Sequence, residues 1–137
     1  MSIKENKNLV KRYNEEIWNH GNFSLMDEIF DPKFNFNYPD PDLEPDLDGF
    51  KQTISRFREA FPDIKFSSLL MVAEGDIVVY RWEGIGTHKA EYMGIAPTDK
   101  EVEFTGITIH KIENGKILEE FTRLDIFGLM QQIGAMS

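Results

Sequence analysis

The sequence predicts an α+β domain, a curved antiparallel sheet wrapped round about three N-terminal helices with an internal apolar cavity. Apolar residues recur at helical spacing before Pro62, whereas residues from Lys65 onward alternate as strands do. Helices therefore come first, and four long strands joined largely as hairpins follow. A sheet folded round a helix pair forms a cone whose mouth can hold a small molecule.

The N-terminal part predicts two helices. Leu9, Tyr13 and Ile17 lie four residues apart and predict an amphipathic helix from residue 4 to about 20. Ser24 opens a Ser-x-x-acid pattern that is typical of a capping box, so we expect a short second helix after it.

A third helix and the strands follow. We expect the helix to be capped by Asp48 and to end at Pro62. The stretch FNFNY, 34–38, alternates aromatic and Asn residues and predicts a short strand, and Asn114-Gly115 predicts a tight hairpin. The long strands are predicted at 65–73, 77–88, 101–112 and 116–125.

Composition narrows the class of protein. The 137 residues are most simply one domain, 1–137, large enough to bury a core and a pocket. The net charge of −9, from 15 basic and 24 acidic side chains, argues against nucleic acid and anionic membranes as partners. The chain has no cysteine, which excludes disulfides, thiolate nucleophiles and Cys-based metal sites. With no signal-peptide pattern and no apolar run long enough to cross a bilayer, a cytoplasmic protein is the default expectation.

An acidic loop invites a metal interpretation. Acids fall at every second position from Asp40 to Asp48, as carboxylates do in a calcium loop. The EF-hand loop needs a glycine at its sixth position, where this chain has Pro45. A solvated loop over the cavity mouth is the simpler interpretation, so we expect no metal site.

Asp125 stands out because apolar residues surround it at the end of the last predicted strand, in LDIFGLM. An acidic residue with apolar neighbours either makes a structural hydrogen bond or takes part in catalysis. It could cap a short C-terminal helix by accepting a backbone N–H of residue 127 or 128. It could instead be a cavity carboxylate that shuttles a proton, since desolvation favours the protonated form of such a group.

Several motifs occur in order along nearly the whole chain, from about Asn6 to Gly134. They are AFPD, the AEGD turn, RW followed by GTH, GI-x-PT and a closing D-x-x-G-L-x-Q-Q-x-G. In this combination the chain resembles the SnoaL-like polyketide cyclase family, which belongs to the nuclear-transport-factor-2-like superfold. The resemblance implies the α+β cone, an apolar cavity and dimerisation through the outer sheet face.

The resemblance also implies a mechanism. In these cyclases a pocket aspartate near the end of the last strand is the general acid/base of an intramolecular aldol ring closure, and no metal or organic cofactor is used. This role maps onto Asp125. The chain departs from many relatives at two places, with Phe36 and Asn37 where they carry a His-Asp pair and with Glu120 and Phe121 where they carry a His-Trp pair.

Two histidines are candidates beside Asp125. His110 shares a strand face with Phe104. If that face looks into the cavity, His110 is a proton relay or a hydrogen-bond donor to a substrate carbonyl; otherwise it is a solvated edge residue. His88 is expected at a strand end near the cavity rim, where a structural role competes with a catalytic one.

A second group of residues is expected to bind the substrate. Trp82 could lie beneath a flat ring, with the small Gly84 leaving space beside it, and the hydroxyls of Tyr13 and Tyr38 could meet a ligand. Arg123 lies on the strand face of the candidate aspartate and could form an ion pair with it instead. The substrate-binding candidates are Trp82, Tyr38, Tyr13, Phe104, Arg123 and His88.

The first functional hypothesis is a small cofactor-free cyclase or isomerase acting on an apolar, carbonyl-bearing substrate. Asp125 would be the acid/base, and His110 or Tyr38 would polarise the carbonyl. A rival enzyme class is epoxide hydrolysis, which needs an Arg between two acids, and only the Arg123-x-Asp125 half is found. The alternative from another class is a non-catalytic small-molecule-binding or dimerising domain.

Overall fold

The computed structural model describes residues 2–37 and 43–134 of the chain. Helices pack on a curved, unclosed five-strand sheet, which confirms the predicted α+β class. Tyr38 and the acids at 40 and 42 lie outside the described residues. No helix in the described part of the chain is both long enough and apolar enough to span a membrane.

Helix α1 spans Ile3–Tyr13 and begins with a capping box between Ser2 and Glu5. The predicted helix does not continue as an α-helix to residue 20, because the backbone changes to a π-helical turn over Asn14–Asn19. The wider turn places the side chains of its residues differently from those of an α-helix.

The second helix, α2, is only Met26–Ile29, preceded by a 3₁₀ turn over Phe23–Leu25. The predicted capping box at Ser24 is wrong. The Ser24 hydroxyl donates to Asn22 Oδ1 at 2.6 Å, so it closes a local turn and does not bind the N–H groups of the helix.

Helix α3 spans Leu47–Ala60, with Phe61 as its C-cap just before Pro62. Its N-cap is Asp46, whose carboxylate accepts from Gly49 N at 2.9 Å, and not Asp48 as predicted. Asp48 lies in the first turn, where a negative side chain suits the helix dipole.

The five strands are arranged in the order β1-β5-β4-β3-β2 across the sheet. Their bounds are β1 Phe30–Asn37, β2 Lys65–Glu74, β3 Ile77–Thr87, β4 Glu101–Glu113 and β5 Lys116–Leu124. Four strands form an antiparallel meander, but β1 pairs with β5 in parallel, so the sheet is mixed and not wholly antiparallel as predicted. Periodicity predicts that this strand exists but not which edge of the sheet it joins.

A fourth helix, α4, spans Ile126–Gln132 and follows β5 directly. It is fastened to β4 at both ends. The Asp125 N–H donates to Thr105 O at 2.9 Å, and the Gln132 side-chain amide exchanges two 2.8 Å hydrogen bonds with the backbone of Glu103.

The two faces of the sheet differ. On β4 the residues facing the helices are buried and those on the outer face are exposed, in strict alternation from Glu101 to His110. The inner face and the helices enclose one cluster of aromatic and aliphatic side chains. The outer face keeps several large apolar residues exposed, among them Leu70, Val72, Ile107, Ile109 and Phe121.

Candidate active-site pocket

A pocket lies between the inner face of the sheet, the π-helical turn and α3. Aromatic rings make up much of its wall, and Ser67, Ser68 and Thr53 are among its polar lining residues. The aromatic lining residues are Tyr13, Trp18, Phe50, Phe57, Phe66, Tyr80, Trp82 and Phe104. The wall can therefore hold an apolar, ring-bearing molecule.

Among the described residues that line the pocket, Glu120 alone carries a carboxylate, and its exposed fraction is 6%. Strand alternation turns Glu120 and Thr122 inward and leaves Glu119 and Phe121 exposed. Across the ladder Glu120 stands opposite His110, which the structure buries completely. The inward placement of His110 is thus confirmed, and the solvated-edge alternative is wrong.

Two chains of hydrogen bonds converge on Glu120. Tyr13 Oη donates to Oε1 at 2.8 Å and itself accepts from Trp18 Nε1 at 2.6 Å. Thr122 Oγ1 donates to Oε2 at 3.1 Å. Each donor points towards the carboxylate, so the network suits its ionised form.

The second chain continues behind Thr122. Its hydroxyl lies 2.9 Å from that of Thr108, which in turn accepts from Trp82 Nε1 at 2.9 Å. When Glu120 is ionised it can only accept, so the Thr122 hydroxyl donates to it and the Thr108 hydroxyl donates to Thr122. Both chains thus begin at a tryptophan N–H and end at one carboxylate.

Burial works against this ionised form. It raises the pKa of Glu120 to about 7, and the hydrogen bonds from Tyr13 and Thr122 oppose the rise. The group therefore changes protonation near neutral pH, as a general acid/base must. Burial also raises the pKa of Tyr13 well above its ordinary value, with Glu120 adding to the effect, so the phenol stays protonated as a donor.

His110 is neutral in this site. Burial lowers its pKa to about 3, and the Glu119 backbone opposes this to a smaller extent. Its Nε2 lies 3.7 Å from Glu120 Oε1, which would be an ion pair only if the imidazole were protonated. The closer partner is Tyr80 Oη, 3.0 Å away.

A third chain of hydrogen bonds leads from His110 to the pocket wall. The Tyr80 hydroxyl lies within hydrogen-bond distance of both His110 Nε2 and Asn14 Oδ1, the latter at 3.2 Å. With its proton on Nε2, His110 donates to Tyr80, and Tyr80 then donates to Asn14. The Asn14 Nδ2 group at the end of this chain is buried and has no hydrogen-bond partner among the described residues.

The predicted site residue Asp125 lies outside the pocket lining. It is exposed and caps α4, because its Oδ1 accepts from Gly128 N at 2.9 Å. Of the two roles that the sequence left open, this position favours the helix cap. An acid/base role for Asp125 stays a prediction.

Arg123 and His88 also lie away from the pocket. Arg123 is on the outer face, where its guanidinium donates to Asn37 Oδ1 at 3.1 Å and covers the Phe121 ring at 4.1 Å. His88 is fully buried, with Nδ1 3.0 Å from Thr98 Oγ1, so it fastens a loop instead of lining a cavity rim. Their predicted substrate contacts are not supported by these positions.

Tyr13, Trp82 and Phe104 do line the pocket, whereas Tyr38 lies outside the described residues. The space inferred beside Trp82 from Gly84 is wrong. A Cβ at Gly84 would lie 2.9 Å from the Phe104 ring, so the glycine makes room for packed aromatics and not for a ligand.

Several pocket residues escaped the sequence analysis. Thr108 shares a strand face with Phe104 and His110, so alternation could have found it. Glu120 and Thr122 could not be found by counting from the hairpin, because a bulge beside the Lys111 and Ile112 pairs shifts the register and places Glu120, not Glu119, opposite His110. Asn14 could not be found either, because helical periodicity gives no sign of a π-helical turn. No three potential metal ligands cluster in the described ranges.

Comparisons with known proteins place the chain in a family. The SnoaL-like polyketide cyclase family matches residues 8–133. A proposed polyketide cyclase from Acidithiobacillus ferrooxidans is 28% identical, with a TM-score of 0.86 and coverage of 100% of both chains. IdmH, a proposed polyketide cyclase from Streptomyces antibioticus, is 26% identical, with a TM-score of 0.83 over 94% of this chain and 98% of its own.

A third similar structure belongs to a protein with a different proposed activity. AclR, a proposed hydroxylase from Streptomyces galilaeus, is 24% identical, with a TM-score of 0.88 over 99% of this chain and 100% of its own. No curated protein matches the chain by sequence. Because the family match covers nearly the whole chain, this protein belongs to the SnoaL-like polyketide cyclase family.

Proposed function

We propose that this chain is a small enzyme that uses Glu120 as general acid/base on an apolar, carbonyl-bearing substrate, in an aldol-type cyclisation or an isomerisation. The observation that carries the proposal is a buried carboxylate in an aromatic pocket, on which two hydrogen-bond chains converge. Family membership supports the cyclase-like reaction class. The role that the sequence analysis gave to Asp125 passes to Glu120 because only the latter lines the pocket.

The proposed reaction depends on Glu120 being able to take up and release a proton near neutral pH. The ionised carboxylate takes a proton from the carbon beside the substrate carbonyl, and the C–H electron pair moves onto the carbonyl oxygen as an enolate. In a cyclisation the enolate carbon then attacks a second carbonyl of the same molecule, whose oxygen takes the proton. In an isomerisation a C=C bond is conjugated with the enolate, and the proton returns to the far carbon of that conjugated system. In either case Glu120 returns its proton to the product, and no oxidant or reductant is consumed.

A probe reaction tests the proposal without knowledge of the natural substrate. The carbons beside the carbonyl of 2-tetralone exchange hydrogen for deuterium in D₂O only through the enolate, which NMR follows directly. Wild type should accelerate this exchange, and Glu120→Gln should lower the acceleration by about 10²–10⁴-fold, the usual contribution of a general base. Asp125→Asn is the matched control and should keep the wild-type rate.

Two other outcomes would redirect the proposal. Loss of exchange in Asp125→Asn, with Glu120→Gln active, would return the acid/base role to Asp125. If wild type binds 2-tetralone without accelerating exchange, and native mass spectrometry finds a co-purified small molecule, the domain binds ligands without catalysis.

We further propose that the chain is a homodimer through the outer face of the sheet. Val72, Val79, Ile109 and Phe121 form one apolar row across four strands, paired in register. Val72 is 53% exposed and Phe121 41% exposed. A contiguous apolar face of this kind is typical of an interface between protein surfaces.

The dimer is tested by one charge in that row. Ile109→Lys should shift the mass measured by light scattering from two chains to one, because a buried lysine in the interface would be unpaired. Met93→Lys is the control, since Met93 is 62% exposed on a loop away from the face. A wild-type protein that already elutes as a monomer at micromolar concentration would remove the proposal.

A further inference from the structure

Asn14 presents a hydrogen-bond donor that the proposed acid/base chemistry does not use. The residue lines the pocket, and its Nδ2 is buried without a hydrogen-bond partner among the described residues. Buried amide groups in proteins are nearly always hydrogen-bonded, so an unpaired one at a pocket wall needs a reason. A ligand acceptor that completes the hydrogen bond would supply it.

The orientation of the Asn14 amide is set by a hydrogen bond from Tyr80. The Tyr80 hydroxyl donates to Asn14 Oδ1 at 3.2 Å, and Tyr80 Oη lies 3.0 Å from His110 Nε2, which donates to it when the imidazole proton is on Nε2. With its oxygen held by Tyr80, the Asn14 side chain directs Nδ2 away from that partner. The buried His110 and Tyr80 are therefore positioning residues for the amide.

The backbone at Asn14 is also unusual. Asn14 is the first residue of the π-helical turn Asn14–Asn19, which also carries Trp18 into the pocket wall. Single π-helical turns within helices occur frequently at functional sites. The other end of this turn is fastened to β2, because Asn19 Oδ1 accepts from Phe66 N at 2.7 Å and its Nδ2 donates to Phe66 O at 3.1 Å.

The pocket thus holds two groups of opposite character. Glu120 accepts hydrogen bonds from Tyr13 and Thr122, whereas the Nδ2 donor of Asn14 has no acceptor in the part of the chain that the structure describes. Proton abstraction beside a carbonyl requires both, a base for the carbon-bound proton and a donor for the oxygen on which negative charge develops.

We infer that Asn14 Nδ2 donates a hydrogen bond to the carbonyl oxygen of the substrate and to the enolate oxygen formed from it. The assignment has two parts. The hydrogen bond to the enolate, the enolate half, rests on the function proposed above. The hydrogen bond to the substrate carbonyl, the ketone half, does not, because a carbonyl can bind to Asn14 whether or not Glu120 acts as a base. The assignment replaces the carbonyl donor expected from the sequence, His110 or Tyr38, with a residue that His110 positions through Tyr80.

Paired ligands test the ketone half. Tetralin has the ring skeleton of 2-tetralone without the carbonyl, so the ratio of their dissociation constants isolates the oxygen. Wild type should prefer 2-tetralone, and Asn14→Leu and Asn14→Asp should each lose about threefold to tenfold of that preference, the range for one neutral hydrogen bond. Asn14→Asp keeps the side-chain size and the acceptor for Tyr80 but removes the N–H donor.

Asn22→Asp is the matched control. Asn22 is exposed and is not among the pocket-lining residues, and its Oδ1 accepts from Ser24 Oγ at 2.6 Å. The same exchange of an amide for a carboxylate outside the pocket should leave the preference for 2-tetralone unchanged.

A direct signal comes from NMR of protein labelled with ¹⁵N. The Asn14 side-chain N–H₂ pair, assigned by its absence from the spectrum of Asn14→Asp, should shift on addition of 2-tetralone and shift much less with tetralin. An amide that presents its oxygen to the pocket would instead make Asn14→Leu, but not Asn14→Asp, lose affinity for the alcohol 2-tetralol.

The outcomes separate the two proposals. An unchanged tetralone preference in both Asn14 variants, or a preference shifted towards 2-tetralol, overturns the inference about Asn14. Failure of Glu120→Gln to slow deuterium exchange overturns the acid/base proposal and leaves the binding result standing.

Discussion

Two carboxylates five residues apart, Glu120 within β5 and Asp125 just after it, have opposite settings in this fold. Asp125 is exposed and accepts from a backbone N–H of the helix that it begins, Gly128 N at 2.9 Å. Glu120 is buried and accepts from the side chains of Tyr13 and Thr122.

Both acids are hydrogen-bonded, so hydrogen bonding alone does not mark a reactive group. Solvent access separates them. An exposed carboxylate keeps its charge at little cost and stabilises a helix end. A buried carboxylate is held between two protonation states, because desolvation and the hydrogen bonds act in opposite directions.

The largest expected effect concerns the rate of 2-tetralone exchange against pH. Because the active form of the base is ionised and the pKa of Glu120 is raised to about 7, the rate should fall about tenfold for each pH unit below 7. Exchange at pH 5 should thus be about 100-fold slower than at pH 8. Asp125→Asn should show the same profile. A wild-type profile without an inflection near neutral pH would contradict the role of Glu120.

The next effect concerns stability against pH. Burial raises the folded pKa of Glu120 from 4.5 to about 7, so its stabilising contribution is present below pH 4.5 and is lost as the pH rises through 7. Glu120→Gln has no such loss. Its free energy of unfolding relative to wild type should therefore increase by roughly 3 kcal/mol between pH 4.5 and 8.

The comparison with the variant is needed because His110 acts with the opposite sign. Its folded pKa is lowered from 6.5 to about 3, so its contribution is present above pH 6.5 and is lost as the pH falls. In wild type the two residues partly cancel between pH 4.5 and 6.5. Urea unfolding of both proteins at several pH values measures the difference, and a difference that does not change with pH would count against a raised pKa of Glu120.

A smaller effect is expected at the helix cap. Asp125→Ala removes the acceptor for Gly128 N and should lower the free energy of unfolding by about 0.5–2 kcal/mol, whereas Asp125→Asn should be close to neutral. Thermal unfolding of the three proteins checks this. If Asn destabilises as much as Ala, the charge of Asp125 matters beyond capping, and its structural interpretation fails.

The smallest expected effect is on stability and tests the Asp125 helix cap through Gly128. A Cβ on this glycine would clash with the Asp125 carboxylate, so Gly128→Ala should destabilise wild type by displacing the cap. In the Asp125→Ala background the clash is absent, and alanine should be neutral or stabilise α4 by up to about 1 kcal/mol. The double-mutant cycle measures this coupling, and additive effects would show that the two residues do not interact.

The elements that local pattern specifies were predicted well. The bounds of β2, β3, β4 and β5 follow from alternation and from turn residues, and Asn114 and Gly115 both adopt the positive φ of a tight hairpin. The helix caps were predicted less well. Ser24 and Asp48 have the right chemistry, but α2 begins after Leu25 with no side-chain cap, and Asp46 caps α3. A capping residue is fixed by where a helix begins, and this depends on packing.

The site shows the same division. Its pocket aromatics Tyr13, Trp82 and Phe104 were identified because alternation and helical spacing assign faces. Its acid was not, because Glu119 and Glu120 are indistinguishable until the register of β5 against β4 is known. Asp125 attracted notice through apolar neighbours in sequence, but neighbours in sequence do not determine burial.

The sequence by itself determined the class of fold, the order of its helices and strands and the family, because periodicity, turn residues and motif order are local properties of the chain. Only the tertiary structure decided that β1 joins β5 in parallel, that α1 gives way to a π-helical turn, and that Glu120 is the acid enclosed by the pocket. The physical reason is that burial and hydrogen-bond partners come from residues far apart in the chain. Tyr13 and Glu120, separated by 107 positions, meet only when the helices pack on the sheet.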